Sequence, residues 1–93
     1  MITKKTKKRL ISFLTNVFDD MQIAEICEGI RLQLTFEQIK IYADPKFAWS
    51  QMGEIRSGFQ NGLTIEQINM FANENFTWEQ MYYIRLELEK IKN

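Results

Sequence analysis

The chain repeats itself every 29 residues, and no other feature narrows its possible folds as far. Residues 22–50 lie over residues 51–79 without a gap. Twelve of the 29 pairs are identical, among them Gln22/Gln51, Glu25/Glu54, Gly29/Gly58, Thr35/Thr64, Gln38/Gln67, Phe47/Phe76 and Trp49/Trp78. Pairs such as Ile23/Met52, Ile41/Met70 and Tyr42/Phe71 keep apolar character. The register continues downstream, where Gln80, Met81, Ile84 and Arg85 match Gln51, Met52, Ile55 and Arg56. Upstream, Thr6, Leu10, Phe13 and Phe18 match Thr35, Ile39, Tyr42 and Phe47. One domain over 1–93 therefore divides into a basic leading helix (1–18), repeats at 22–50 and 51–79, and a half repeat at 80–93. A unit this small cannot bury its own apolar side, so successive units must shelter one another.

Each unit reads as two helices. The first half opens on Thr35-Phe-Glu-Gln38 or Thr64-Ile-Glu-Gln67 and the second on Asp19-Asp-Met-Gln22 or Thr77-Trp-Glu-Gln80. In these capping boxes the cap oxygen accepts from a free amide of the first turn while the glutamine reaches back to the cap. The middle copy has Ala48 at the cap, so its cap is weaker or moves to Ser50. Helical spacing assigns Phe36, Ile39, Tyr42 and Ala43 to one apolar face and Trp49, Met52, Ile55, Phe59 and Leu63 to another. Pro45 and Asn61-Gly62 fall between helices. No window alternates with a strand's period of two.

These signals predict an all-α fold of six short helices, near 5–18, 20–33, 36–44, 49–60, 65–73 and 78–91, stacked as helical hairpins. Trp49 and Trp78 are expected between successive helices. The handedness of the array is open, and a bundle closed on itself is the competing arrangement.

Composition limits the chemistry. The 93 residues include no histidine, which removes the usual general base and the commonest metal ligand. One cysteine, Cys27, allows neither an intramolecular disulfide nor a multi-cysteine zinc site, and it suits a reducing compartment. With nothing nearby to activate it, Cys27 is expected to be buried or idle. Carboxylates do not recur as inward pairs, and the glycines form no phosphate-binding loop. The expectation is a protein that is not an enzyme, with no catalytic, cofactor-binding or metal-binding residues and no cofactor.

Charge is balanced in total but not in placement. Lys4, Lys5, Lys7, Lys8 and Arg9 crowd the start, whereas residues 10–93 carry five more acidic than basic groups. The arm is either a solvated helix end or a contact for phosphates or an acidic partner, which makes a nucleic-acid-associated module one alternative function. The run from Leu10 to Phe18 is too short and too polar for a signal peptide, and no stretch approaches a membrane span. A cytoplasmic protein without membrane association is expected.

Positions where the repeat is broken are the more informative about function. Tyr82 replaces Ala24 and Gly53, and Tyr83 replaces Glu25 and Glu54. They either close the end of the array or, with Arg85, form an aromatic contact patch of the kind that dominates protein interfaces. Arg56 and Arg85 share one repeat position, held by Cys27 in the first copy. They either form surface ion pairs with neighbouring Glu25 and Glu54 or form a row that reads a carboxylate-rich or phosphate-bearing partner, which the nucleic-acid alternative would use together with the basic arm. Ile41 and Met70 are expected in the core.

The string Tyr42-Ala-Asp-Pro-Lys-Phe-Ala-Trp-Ser-Gln-Met-Gly-Glu-Ile-Arg-Ser-Gly-Phe-Gln-Asn-Gly-Leu63 resembles a tandem helical repeat of Firmicutes proteins. Many of these are carried on phages, plasmids and conjugative elements. The repeat reads Tyr-Ala-x-Pro-x-Phe followed by Gln-Met-x-x-Ile-Arg-x-Gly-Leu, and the similarity covers residues 19–91. Asn73-Glu-Asn75 in place of the proline turn, and Cys27 in place of Arg, depart from the pattern and are expected to make the outer copies less regular. The resemblance implies a mobile-element origin in a bacterial host and a protein-binding role, as an inhibitor or adaptor of host machinery such as an anti-CRISPR protein acting on a Cas effector complex. An oligomerising structural element is the remaining alternative. Its oligomeric state is open.

Overall fold

The computed structural model describes Lys5, Lys8, Ser12 and residues 15–92. Lys5, Lys8, Ser12 and residues 15–17 are helical. Five helices follow: α1 (Asp20–Arg31), α2 (Phe36–Tyr42), α3 (Trp49–Gln60), α4 (Ile65–Asn69) and α5 (Trp78–Lys92). No strand occurs among the described residues. The fold is all-α, with helices close to the predicted ranges.

Capping explains the starts. Asp19, Thr35 and Thr64 accept from the amide of the glutamine three residues on, and that glutamine's side-chain oxygen accepts from the cap amide. Thr77 and Gln80 make the same exchange at 2.8 and 3.1 Å. At Ala48 only half of it survives: the Ala48 amide donates to Gln51 Oε1 at 2.8 Å, with no side-chain acceptor in return. The cap stays at Ala48 and does not move to Ser50.

The two longer inner helices stop by one device. Leu34 donates to the Gly29 carbonyl and Leu63 to that of Gly58, while Gln33 and Gly62 bond back to Ile30 and Phe59. This is the Schellman pattern, which needs a left-handed residue after the cap. Gly62 supplies it at φ 90°, and Gln33 adopts it at φ 62° despite its side chain. That ends α1 at Arg31, two residues before the expected limit. The helix expected over 65–73 stops at Asn69, where Met70 and Phe71 tighten to bonds three residues back.

The turn at 73–76 is as regular as the proline turn. Asp44 Oδ1 accepts from the Lys46 amide at 3.0 Å, and Asn73 Oδ1 accepts from that of Asn75 at 2.9 Å. Asp44 and Asn73 carbonyls accept from Phe47 and Phe76. The Asx side chain organises the turn, so Pro45 is not required for it, and the expected irregularity does not occur there.

Helix α3 packs between α1 and α5, with α2 and α4 each lodged against it. The molecule measures 45 × 26 × 16 Å along its principal axes, the outline of a stacked array. Ile26, Tyr42, Phe47, Met52, Ile55, Ile68, Phe71 and Met81 form the continuous core. Gly29 and Gly58 permit its closest approaches: an added Cβ would strike the Tyr42 hydroxyl at the first and lie 2.6 Å from Ile68 Cδ1 at the second. Helix α5 carries the exposed Glu87 at that register position, paired with Lys90 at 3.0 Å.

Candidate functional site

One buried polar residue per unit ties the array together. Gln22 Nε2 donates to the carbonyls of Pro45 (3.3 Å) and Phe47 (2.7 Å). Gln51 Nε2 donates to Glu74 (3.0 Å) and Phe76 (2.7 Å), the same two positions one unit later. Each amide thus caps its own helix through oxygen and clasps the following turn through nitrogen. The capping motif announced the first role, and nothing in the sequence announced the second. Gln80 makes only the cap contacts among the described residues and is exposed.

The arginines also join successive units. Arg56 Nε lies 2.6 Å from Glu25 Oε2, and its Nη1 reaches Gln60 Oε1 at 3.1 Å. Arg85 Nε lies 3.1 Å from Glu54 Oε1, and its Nη1 lies 2.8 Å from Glu89 Oε2. Arg85 is only 8% exposed. Burial by itself lowers its pKa, but the hydrogen bonds with Glu89 and Glu54 outweigh that and raise it. Both guanidinium groups are therefore engaged within the fold, and the Arg row is an internal ladder of ion pairs.

The tyrosines lie differently. Tyr83 is 67% exposed and Tyr82 is partly so; their rings meet edge to face at 5.5 Å, and the Arg85 guanidinium stands 5.3 Å from the Tyr82 centroid. Of the predicted patch, Tyr82 and Tyr83 are presented to solvent, and Arg85 holds the ring from beneath.

Trp49 and Trp78 do not pack between helices as expected: they are 46% and 45% exposed. Both occupy the first position of their helix, as do Phe36 and Ile65, which are also exposed. Long helical side chains point back toward the N-terminus, so at that position they overhang their own helix. The core stripe starts three residues later, at Ile39, Met52, Ile68 and Met81. Met70 is likewise exposed and Ile41 half-buried, so only Ile41 adds to the core. Cys27 is exposed on α1, not buried.

The two tryptophans line a single open cleft of about 530 Å3. Ser50, Gly53, Glu54, Arg56 and Ser57 of α3 complete it, with Glu25 entering from α1. Sequence reasoning missed Trp49 and Trp78 as site residues. The signal available was their place immediately after the cap.

Lys5 and Lys8 are helical and exposed, whereas Lys4, Lys7 and Arg9 lie outside the described residues. Among the described residues no helix is long and apolar enough to cross a membrane. Comparison with family models, with curated proteins and with solved structures finds no match to this chain.

Proposed function

We propose that the protein is a non-enzymatic, protein-binding helical array that inhibits or adapts host machinery, with an anti-CRISPR role toward a Cas effector complex as the specific form suggested by the repeat's resemblance. One observation carries the binding role: Trp49, Trp78, Tyr82 and Tyr83 stand open to solvent around α3 and α5 although the core is closed without them. Tryptophan and tyrosine supply much of the binding energy at protein interfaces, through large rigid surface at small entropic cost. Among the described residues no buried side-chain polar atom lacks a partner, and these aromatics are among the large apolar side chains left open to solvent.

Co-purification with a Cas effector complex tests this reading. Binding should survive moderate salt and fail in a Tyr82→Ala/Tyr83→Ala variant that keeps its helical content. Undiminished binding by that variant removes the tyrosine patch from the reading. The exposed Lys5 and Lys8 favour nucleic acid as a second partner class, and affinity for DNA or RNA falling steeply with salt is its signature. Against an oligomerising role, Glu87 fills the register position where Gly29 and Gly58 admit the next helix, which favours an array that stops at α5.

A further inference from the structure

The cleft between the tryptophans contains a glycine that the fold does not need. Gly53 lies in the middle of α3, where glycine costs a helix stability relative to alanine. At Gly29 and Gly58 the close neighbours explain that choice. At Gly53 they do not, because an added Cβ would meet only the Glu25 carboxylate, at an ordinary 3.5 Å. Its backbone also lies outside the left-handed region. Any larger side chain here would instead fill the cleft, as the residue type in the next copy, Tyr82, illustrates.

The walls of the cleft are aromatic and its polar edge is anionic. Glu25 gives Oε2 to Arg56, and Glu54 gives Oε1 to Arg85. Their other oxygens, Glu25 Oε1 and Glu54 Oε2, have no hydrogen-bond donor among the described residues, and Glu25 Oε1 is the atom that overlooks Gly53. Both carboxylates are mostly buried yet border the cleft. A planar cation fits this set: it stacks on an indole face while its N–H fork meets a carboxylate oxygen. Beyond the basic start, acidic groups outnumber basic ones by five, so the surrounding field also favours a cation.

We propose that the cleft formed by Trp49, Gly53 and Trp78 receives an arginine side chain from a basic segment of the partner protein, with Glu25 and Glu54 as acceptors for the guanidinium. This deepens the protein-binding reading and rests on it. Ser50 and Ser57 add hydroxyls along the same helix for the flanking peptide backbone. Arg56 at the edge is matched by Glu25, and Arg85 behind is shared between Glu54 and Glu89, so this set of carboxylates keeps a negative surplus beside the cleft.

Trp49 and Trp78 are the only tryptophans, so intrinsic fluorescence reports on the cleft directly. The full chain is titrated with an acetylated, amidated Arg-Gly repeat peptide, with the same peptide carrying citrulline for arginine, and with a single-stranded oligonucleotide. The arginine peptide should change tryptophan emission saturably, and citrulline, which keeps the shape without the charge, should bind roughly tenfold more weakly. Gly53→Leu should lose roughly tenfold in affinity for the arginine peptide while its thermal midpoint stays at or above that of the parent chain. Equal binding of the citrulline peptide, unchanged binding by Gly53→Leu, no response to the arginine peptide, or a response to the oligonucleotide alone overturns the proposal. If the peptide fails while a host protein is still captured through Tyr82 and Tyr83, the cleft assignment falls and the protein-binding reading stands.

Discussion

Gln51 donates from Nε2 to the Phe76 carbonyl at 2.7 Å across 25 residues of sequence, and Gln22 does the same to Phe47 at the same distance. Each of these turn carbonyls is satisfied by the residue that also caps the long helix preceding that turn. Such a shared amide makes the spacing between units a matter of hydrogen-bond geometry as well as of apolar packing.

Gln51→Ala is therefore expected to cost about 2–3 kcal/mol, since it removes the cap acceptor and strands two carbonyls. Gln80→Ala removes the cap acceptor alone and should cost about 1 kcal/mol or less. Urea denaturation of the two variants measures the difference. Equal losses would show that the clasp adds nothing to the cap.

Gln33 pays a steric penalty for a left-handed backbone that Gly62 adopts freely at the equivalent position. Gln33→Gly should raise stability by about 0.5–1 kcal/mol, and Gly62→Ala should lower it by about 1 kcal/mol. Thermal denaturation reads both, and the opposite signs are the diagnostic result.

The Tyr42 hydroxyl donates to the Glu25 carbonyl at 2.9 Å in the space left by Gly29. Gly29→Ala gains helix propensity but displaces that hydroxyl, for a net loss of about 1–2 kcal/mol. In a Tyr42→Phe background the same change should cost under about 0.5 kcal/mol, because the colliding oxygen is gone. A double-mutant cycle measures the coupling; additive losses would place the strain elsewhere.

Burial pushes the Tyr42 phenol up to about 12. In the unfolded chain the phenol ionises near pH 10, so above about that pH the native state holds a proton that the unfolded state has released. The resulting stabilisation is complete below about pH 10 and disappears as the pH rises through about 12. Stability should fall over this window in the parent chain and fall less in Tyr42→Phe, as followed by denaturant midpoints. Ultraviolet titration of the folded protein should show one phenol ionising near 12.

The readable parts of the fold are those governed by local chemistry. The repeat gave the number of units, the Thr/Asp-to-Gln boxes gave the helix starts, and the face Met52, Ile55, Phe59 and Leu63 proved buried throughout. Trp49 was misread because periodicity states which side of a helix a residue shares, not whether the helix extends far enough beneath it. The Arg85 contacts were open for a related reason: pairing with Glu54 is set by how α5 lies on α3, and charge pattern alone fits a partner equally well. The cleft depends on the empty place at Gly53, and an absent side chain leaves a weak trace in a sequence.

Glu87 sets the direction in which this architecture tolerates growth. A unit joined behind α5 would press its leading helix onto a carboxylate where a hydrogen atom stands at Gly29 and Gly58. Extra copies of residues 51–79 spliced between residues 50 and 51 meet no such obstacle, because each brings the glycine, clasp and ion-pairing arginine of that unit, whereas a copy of residues 22–50 would place Cys27 where the arginine is needed. Lengthened versions of the scaffold should accordingly be made from the inside, with α5 kept as the closing helix.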